Sequence, residues 1–188
     1  PRGKYALFSI LKHLSLSSED EVFITTTTGS PYLSVGVSTT IEEICSWSRK
    51  ISKKTKVVLL IHEFGFIHKK SKSIKKMCED KGYVFIEDCA WAWNANVFGH
   101  SSKHYRIYSF PKYFPVQYGG LLVGHHFSDD SIWNKFQCLD FQKIEIIKQQ
   151  LSNFINKTDE INNARIKNYN YLLHLFEEEG FEPFFNIE

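Results

Sequence analysis

The 188-residue sequence holds only four cysteines, and Cys45, Cys78, Cys89 and Cys138 are scattered with no CxxC pair. That spacing excludes a redox dithiol and a zinc ribbon, and predicts free buried thiols in a reducing cytoplasm. Long apolar runs are missing as well. Stretches such as Val57 to Ile61 and Gly120 to Val123 fall far short of the roughly 20 residues a membrane helix needs, and no signal-peptide pattern opens the chain. A soluble, cytoplasmic protein with no membrane partner is expected. Neither sign of charge dominates, with 23 basic against 21 acidic residues, so a nucleic-acid partner is not indicated. Neither GxGxxG nor GxxxxGK[ST] occurs, which removes support for a nucleotide-binding domain of those kinds.

What remains is 43% hydrophobic and 15% aromatic, enough for one sizeable core. Leu7, Ile10, Leu11 and Leu14 recur at helical spacing after Gly3. Glu21 to Thr28 reads as a strand, broken by Gly29, Ser30 and Pro31. Thr40 to Ser48 is read as a short helix capped by the threonines. Lys56 to His62 is a near-continuous apolar run, as in a strand covered on both faces. The lysines of residues 69–76 are read as a solvated helix face, with Gly82 as terminator. Tyr83 to Asp88, Tyr105 to Phe110 and Gly119 to Gly124 read as further strands, and Ser131 to Glu179 as two helices joined near Asn156 to Asp159. Strands alternating with helices predict an α/β fold, a mostly parallel central sheet flanked by helices, with a C-terminal helical segment. The expected division is an α/β domain over residues 1–130 and a helical segment over 131–188. Pro1 is not a natural start and Phe181 to Glu188 resembles the opening of another strand or linker, so a longer gene product or a processed one is expected.

In a parallel sheet, ligands gather at the carboxyl ends of the strands. That rule points to His62 to Gly65, Asp88 to Trp93 and Ser109 to Gly120. Asp88 closes one strand, where a carboxylate can face a ligand from a rigid element. An alternative for it is the N-cap of the following turn. Lys112 lies between Pro111 and Pro115, close to the hydroxyl of Ser109; taken alone it reads as a solvated loop charge. Together, a strand-end acid and a loop lysine match what pyridoxal 5′-phosphate needs, an amine to bond its aldehyde and a carboxylate to hold a proton on its ring nitrogen. His62, Glu63 and His68 do not have the HExxH spacing, and no metal site is expected. Asn156-Lys157-Thr158 is read as a turn.

The order of these motifs resembles the DegT/StrS family of pyridoxal-phosphate-dependent sugar aminotransferases, fold type I, over nearly the whole chain. Glu19 to Ile24 is similar to the family's "GDEVI", and Lys54 to Gly65 to its "TKAIIPVHLYG". Ile86 to Ala90 is similar to "IEDAA", Ser109 to Lys112 to the "SF…K" segment, and Gly119 to Val123 to "GGAVV". Arg165 to Leu173 resembles "RRxxNYxxL". The resemblance implies that Lys112 holds the aldimine and Asp88 pairs with the pyridine nitrogen. It also implies that Ser109 and the helix start at Gly3 and Lys4 bind the phosphate. Tyr32 is the first choice for stacking on the ring, although core packing is the default for it and for Phe64, Trp91 and Trp93. Trp91 stands where the family has His or Gln beside the cofactor. The SF…K loop is short, the family's αβ unit ending in "PVFVDVD" has almost no counterpart between Gly29 and Thr55, and "GxNxRM" is missing.

The implied activity is transfer of an amino group, from glutamate by analogy, to a keto-sugar nucleotide within a homodimer. The competing expectation is a catalytically degenerate relative that keeps the sheet and serves as a binding or assembly partner.

Overall fold

A computed structural model describes residues 3–93, 102–124 and 141–182. Cys138, the first part of the expected helical stretch (residues 131–140) and residues 183–188 lie outside the described residues.

Six strands form one sheet in the order β2-β1-β3-β4-β5-β6. They are β1 (Glu21–Thr26), β2 (Ser46–Ser48), β3 (Thr55–Ile61), β4 (Val84–Asp88), β5 (His104–Ser109) and β6 (Gly120–Val123). All neighbouring pairs are parallel except β5 with β6, which is antiparallel. The helices of this unit include α1 (Gly3–His13), α2 (Val35–Glu42), α3 (Ser71–Lys81) and the single turn α4 (Phe110–Tyr113). The expected mostly parallel α/β sheet is therefore present. Two compact units are distinguished, Pro1–Ile147 and Lys148–Glu188; α5 (Phe141–Ser152) runs across that boundary and α6 (Thr158–Glu178) lies in the second unit.

Strand β3 shows why the sheet is double-covered. Its side chains alternate, so Val57 and Leu59 enter a cluster with Leu7, Ile10 and Leu11 of α1 and Ile41 of α2. Val58 and Leu60 enter a second cluster with Phe85 of β4 and Cys78 of α3. A strand apolar on both faces is stable only between two helical layers, which is why the run from Lys56 is uninterrupted by polar residues. Helix α3 ends as its sequence predicts: Gly82 is left-handed at φ 72°, and the N–H of Tyr83 donates to the Cys78 carbonyl at 2.9 Å. Cys45, Cys78 and Cys89 are buried free thiols, and burial pushes Cys45 up to about 11 and Cys78 up to about 12.

Two readings of residues 29–55 are corrected. The helix there spans Val35–Glu42, and Ser46–Ser48 forms the edge strand β2, paired with β1. Thr39 and Thr40 do not cap the helix; their hydroxyls donate back to the carbonyls of Val35 and Gly36 at 2.7 Å. The αβ unit expected to have almost no counterpart is present in compressed form as α2 and β2.

On the α3 face, the buried Glu87 of β4 gathers four side chains. Its carboxylate accepts from Arg106 Nε at 2.9 Å and Ser71 Oγ at 2.8 Å, and pairs with His104 Nε2 at 2.7 Å and His62 Nε2 at 3.2 Å. Burial pushes the carboxyl up, but the hydrogen bonds from His104, His62, Ser71 and Arg106 outweigh it and hold the group well below the usual carboxylate range. A carboxyl whose folded value is depressed stabilises the fold above its unfolded value, and that contribution is lost as pH falls toward the folded value. Glu87→Ala removes the carboxylate shared by the buried Arg106, His104, His62 and Ser71 side chains, so urea unfolding is expected to show a loss of about 3–5 kcal/mol. Glu87→Gln is expected to flatten the fall in stability of the parent protein below about pH 4.3, read as melting temperature against pH.

Candidate active site

Period-two alternation turns Asp88, the residue after Glu87, to the opposite face of β4. Thr26, Ile61, Asp88 and Ile107 are paired in register across β1, β3, β4 and β5, so β1, β3 and β4 end at one level and β5 runs two residues further, to Ser109. Above that level lies a cavity of about 520 Å³, within the size range of small-molecule sites. It opens where the strand order reverses between β1 and β3, the place at which parallel sheets bind ligands.

All seven residues singled out from the sequence line this one cavity: Gly3, Lys4, Tyr32, Asp88, Trp91, Ser109 and Lys112. The N-terminus of α1 rests on the end of β5, since a Cβ at Gly3 would stand 3.7 Å from Ser109 Cβ and 3.6 Å from Ile107 Cγ2. Backbone N–H groups at that helix start and the Ser109 hydroxyl therefore share one corner, suited to an anion. Lys112 sits in α4, a single turn with proline at its start, and its Nζ lies 4.3 Å from the centre of the Trp91 ring. Such a cation–π contact is worth about 0.5–2 kcal/mol and holds the amine over the cavity.

Asp88 Oδ1 accepts the Ala90 N–H at 2.9 Å, while its backbone carbonyl accepts the His62 N–H at 3.0 Å. Burial pushes this carboxyl up, opposed by the Ala90 N–H and by the charges of His62 and Lys112. The carboxyl thus serves as a turn acceptor and a cavity group at once, which joins the two readings left open by the sequence.

Of the four aromatics, Trp93 packs in the core against Phe114 at 4.9 Å and Tyr108 at 5.3 Å between ring centres. Tyr32, Phe64 and Trp91 are exposed and line the cavity instead. The loop bearing Tyr32 is clamped by Arg49, whose Nη2 donates to the carbonyls of Ser30 and Tyr32 at 3.1 Å each. Sequence reasoning missed two buried polar residues of the lining, Thr26 and Glu63. The strand-end rule pointed at His62 to Gly65, yet Glu63 was weighed there only as a metal ligand. His62, another of the three candidate ligands, is committed to Glu87 through Nε2 and accepts the His68 N–H through Nδ1 at 3.2 Å.

A parallel sheet covered on both faces, with an acid, an amine and an anion corner around one strand-end cavity, is the architecture of a cofactor-binding domain. Residues 35–177 match the DegT/DnrJ/EryC1/StrS aminotransferase family, and the chain belongs to that family. Among solved structures, DesV from S. venezuelae, in complex with a ketimine intermediate, is similar at 17% identity and a TM-score of 0.53, over 73% of this chain and 41% of that one. Bna3p from Saccharomyces cerevisiae is similar at 16% identity and a TM-score of 0.68, over 94% of this chain and 53% of that one. Spr1654 from Streptococcus pneumoniae, in its PLP-form, is similar at 17% identity and a TM-score of 0.53, over 73% and 44%. These likenesses show the fold, and the chain spans about two-fifths of the length of the first of them. No curated protein sequence matches it.

Membership in this family indicates pyridoxal phosphate as cofactor, and the cavity fits that group. It offers an anion corner at Gly3 and Ser109, an amine at Lys112, a carboxyl at Asp88 and aromatic faces at Trp91 and Tyr32. A carboxyl pushed up by burial is one that a ligand cation would relieve. The sign of its effect on stability follows. Because the folded protein holds the Asp88 proton more tightly than the unfolded chain, stability falls as pH rises from the unfolded value through the folded one. Asp88→Asn keeps an acceptor for the Ala90 N–H, so without ligand the variant is expected to melt above the parent at pH 7. The difference should vanish below about pH 3.9, where the unfolded carboxyl is itself protonated.

Proposed function

We propose that this chain is the cofactor-binding part of a pyridoxal-phosphate-dependent aminotransferase. It moves an amino group from an amino acid donor, glutamate by analogy, to a keto-sugar carried on a nucleotide. The observation that supports this reading most is the convergence of Gly3, Asp88 and the Ser109 to Lys112 turn on one cavity from three separate segments of the chain.

When bound, pyridoxal phosphate supplies an aldehyde that carries the amino group between donor and acceptor and a ring that withdraws electrons from the reacting carbon. Lys112 would hold it through its amine and would be the base that takes a proton from the substrate α-carbon and returns it. Asp88 would hold a proton on the ring nitrogen, since a carboxyl that burial pushes up is favoured by a cationic partner. Ser109 and the Gly3 and Lys4 end of α1 bind the phosphate. Trp91 holds the lysine in place before the cofactor is bound, and Tyr32 stacks on the ring. A second copy of the chain completes the site as a homodimer, by analogy with the family.

Adding pyridoxal phosphate to the protein is expected to produce a visible absorbance band and to raise its melting temperature. Lys112→Ala is expected to abolish the band while keeping part of the thermal shift, because the phosphate and ring contacts remain. A folded protein that stays colourless and unshifted would instead establish the degenerate relative that serves as a binding partner.

A further inference from the structure

Two buried polar side chains of the cavity lining are not among the residues assigned to the cofactor. Thr26 closes β1, is 3% exposed, and its hydroxyl has no hydrogen-bond partner although the residue lines the cavity. Glu63 is 7% exposed in the 3-10 turn Glu63–Gly65 that follows β3. Its Oε2 accepts the Thr28 N–H at 2.8 Å, and among the described residues no lysine, arginine or histidine pairs with it. In the segment that resembles "TKAIIPVHLYG", Glu63 stands at the leucine, so this acid is a feature of the chain and not of the motif.

The turn is rigidly held. The Glu63 N–H donates to Thr27 Oγ1 at 3.2 Å, and Phe64 adopts φ 56°, a left-handed conformation that a bulky side chain rarely takes. Gly65 is at φ 92°, and a Cβ there would stand 3.2 Å from the Trp91 carbonyl oxygen, so the turn is pressed against the backbone beside the ring that holds Lys112. A carboxylate kept largely from water with no cationic partner is unfavourable by itself. A ligand cation removes that cost, whereas a carboxylate or phosphate adds like-charge repulsion to it.

We propose that Glu63, with the unpartnered hydroxyl of Thr26 at the end of the neighbouring strand, is a specificity determinant. It selects a substrate that carries an ammonium group on the part remote from the reacting amine, and rejects an anionic group there. The inference deepens the aminotransferase reading and rests on it for the word substrate. Its consequence is a donor of the diamine or basic amino acid class, which replaces the glutamate that the family analogy suggests, since the second carboxylate of glutamate would meet Glu63.

The test uses calorimetric titration of the full chain, before pyridoxal phosphate is added, with putrescine, succinate and meso-erythritol, three four-carbon probes of opposite or no charge. After the cofactor is added, the shift of the visible band is titrated with L-lysine and L-glutamate. Putrescine is expected to bind about tenfold or more tighter than succinate, as one charge-assisted hydrogen bond implies, and L-lysine to shift the band at lower concentration than L-glutamate. Glu63→Gln, whose amide oxygen still accepts the Thr28 N–H, is expected to remove both preferences without lowering the melting temperature. Thr26→Val is expected to weaken putrescine severalfold. The proposal is overturned if putrescine does not bind, if its preference survives in Glu63→Gln, or if erythritol binds as tightly and weakens equally in that variant. A putrescine preference in a protein that gives no band defeats the cofactor reading alone.

Discussion

The Glu87 carboxylate is the interaction on which the rest of the arrangement depends. From β4 it reaches Arg106 and His104 of β5, His62 at the end of β3 and Ser71 at the start of α3, and so ties three strands and a helix at one buried point. A buried anion is tolerable only when its donors are all in place, so the network allows one register between these elements. That register brings the ends of β3 and β4 to a common level. Because side chains alternate along a strand, holding Glu87 on one face sends Asp88 to the other, at the floor of the cavity. The chemistry of the site is thus set from behind the sheet.

The cavity is built at some expense of stability. Asp88 is a carboxyl that burial disfavours in its charged form, Thr26 keeps a hydroxyl without a partner, and Phe64 holds a left-handed backbone. A core filled only for stability would contain none of the three. They lie around one opening, at the switch in strand order, and each is a feature that a bound ligand can satisfy or exploit. The compressed α2 and β2 unit and the Arg49 clamp on the Tyr32 loop complete the wall on that side.

Much of this was legible in the residues. The run from Lys56 announced a strand with two covered faces, Gly82 a helix terminator, and the motif order singled out Asp88, Ser109 and Lys112, which line one cavity. The misreading of Thr40 to Ser48 has a clear cause. A three-residue edge strand is too short to show alternation, and threonines that serve as N-caps in one context bond back to carbonyls inside a helix in another. Glu63 was weighed only as a metal ligand because it stands beside a histidine, and only its burial without a cationic partner among the described residues marks it out.

The sequence by itself determined the alternation of strands and helices, the double-sided burial of β3 and the succession of chemical groups along the chain. These are local matters of periodicity, turn residues and motif order, carried by neighbouring residues. Only the tertiary structure decided that Gly3, Asp88, Ser109 and Lys112 meet in one cavity, that Trp91 holds the lysine, and that Thr26 and Glu63 join them. Those outcomes depend on the register between strands distant in sequence, which a buried network of charges enforces and no local pattern records.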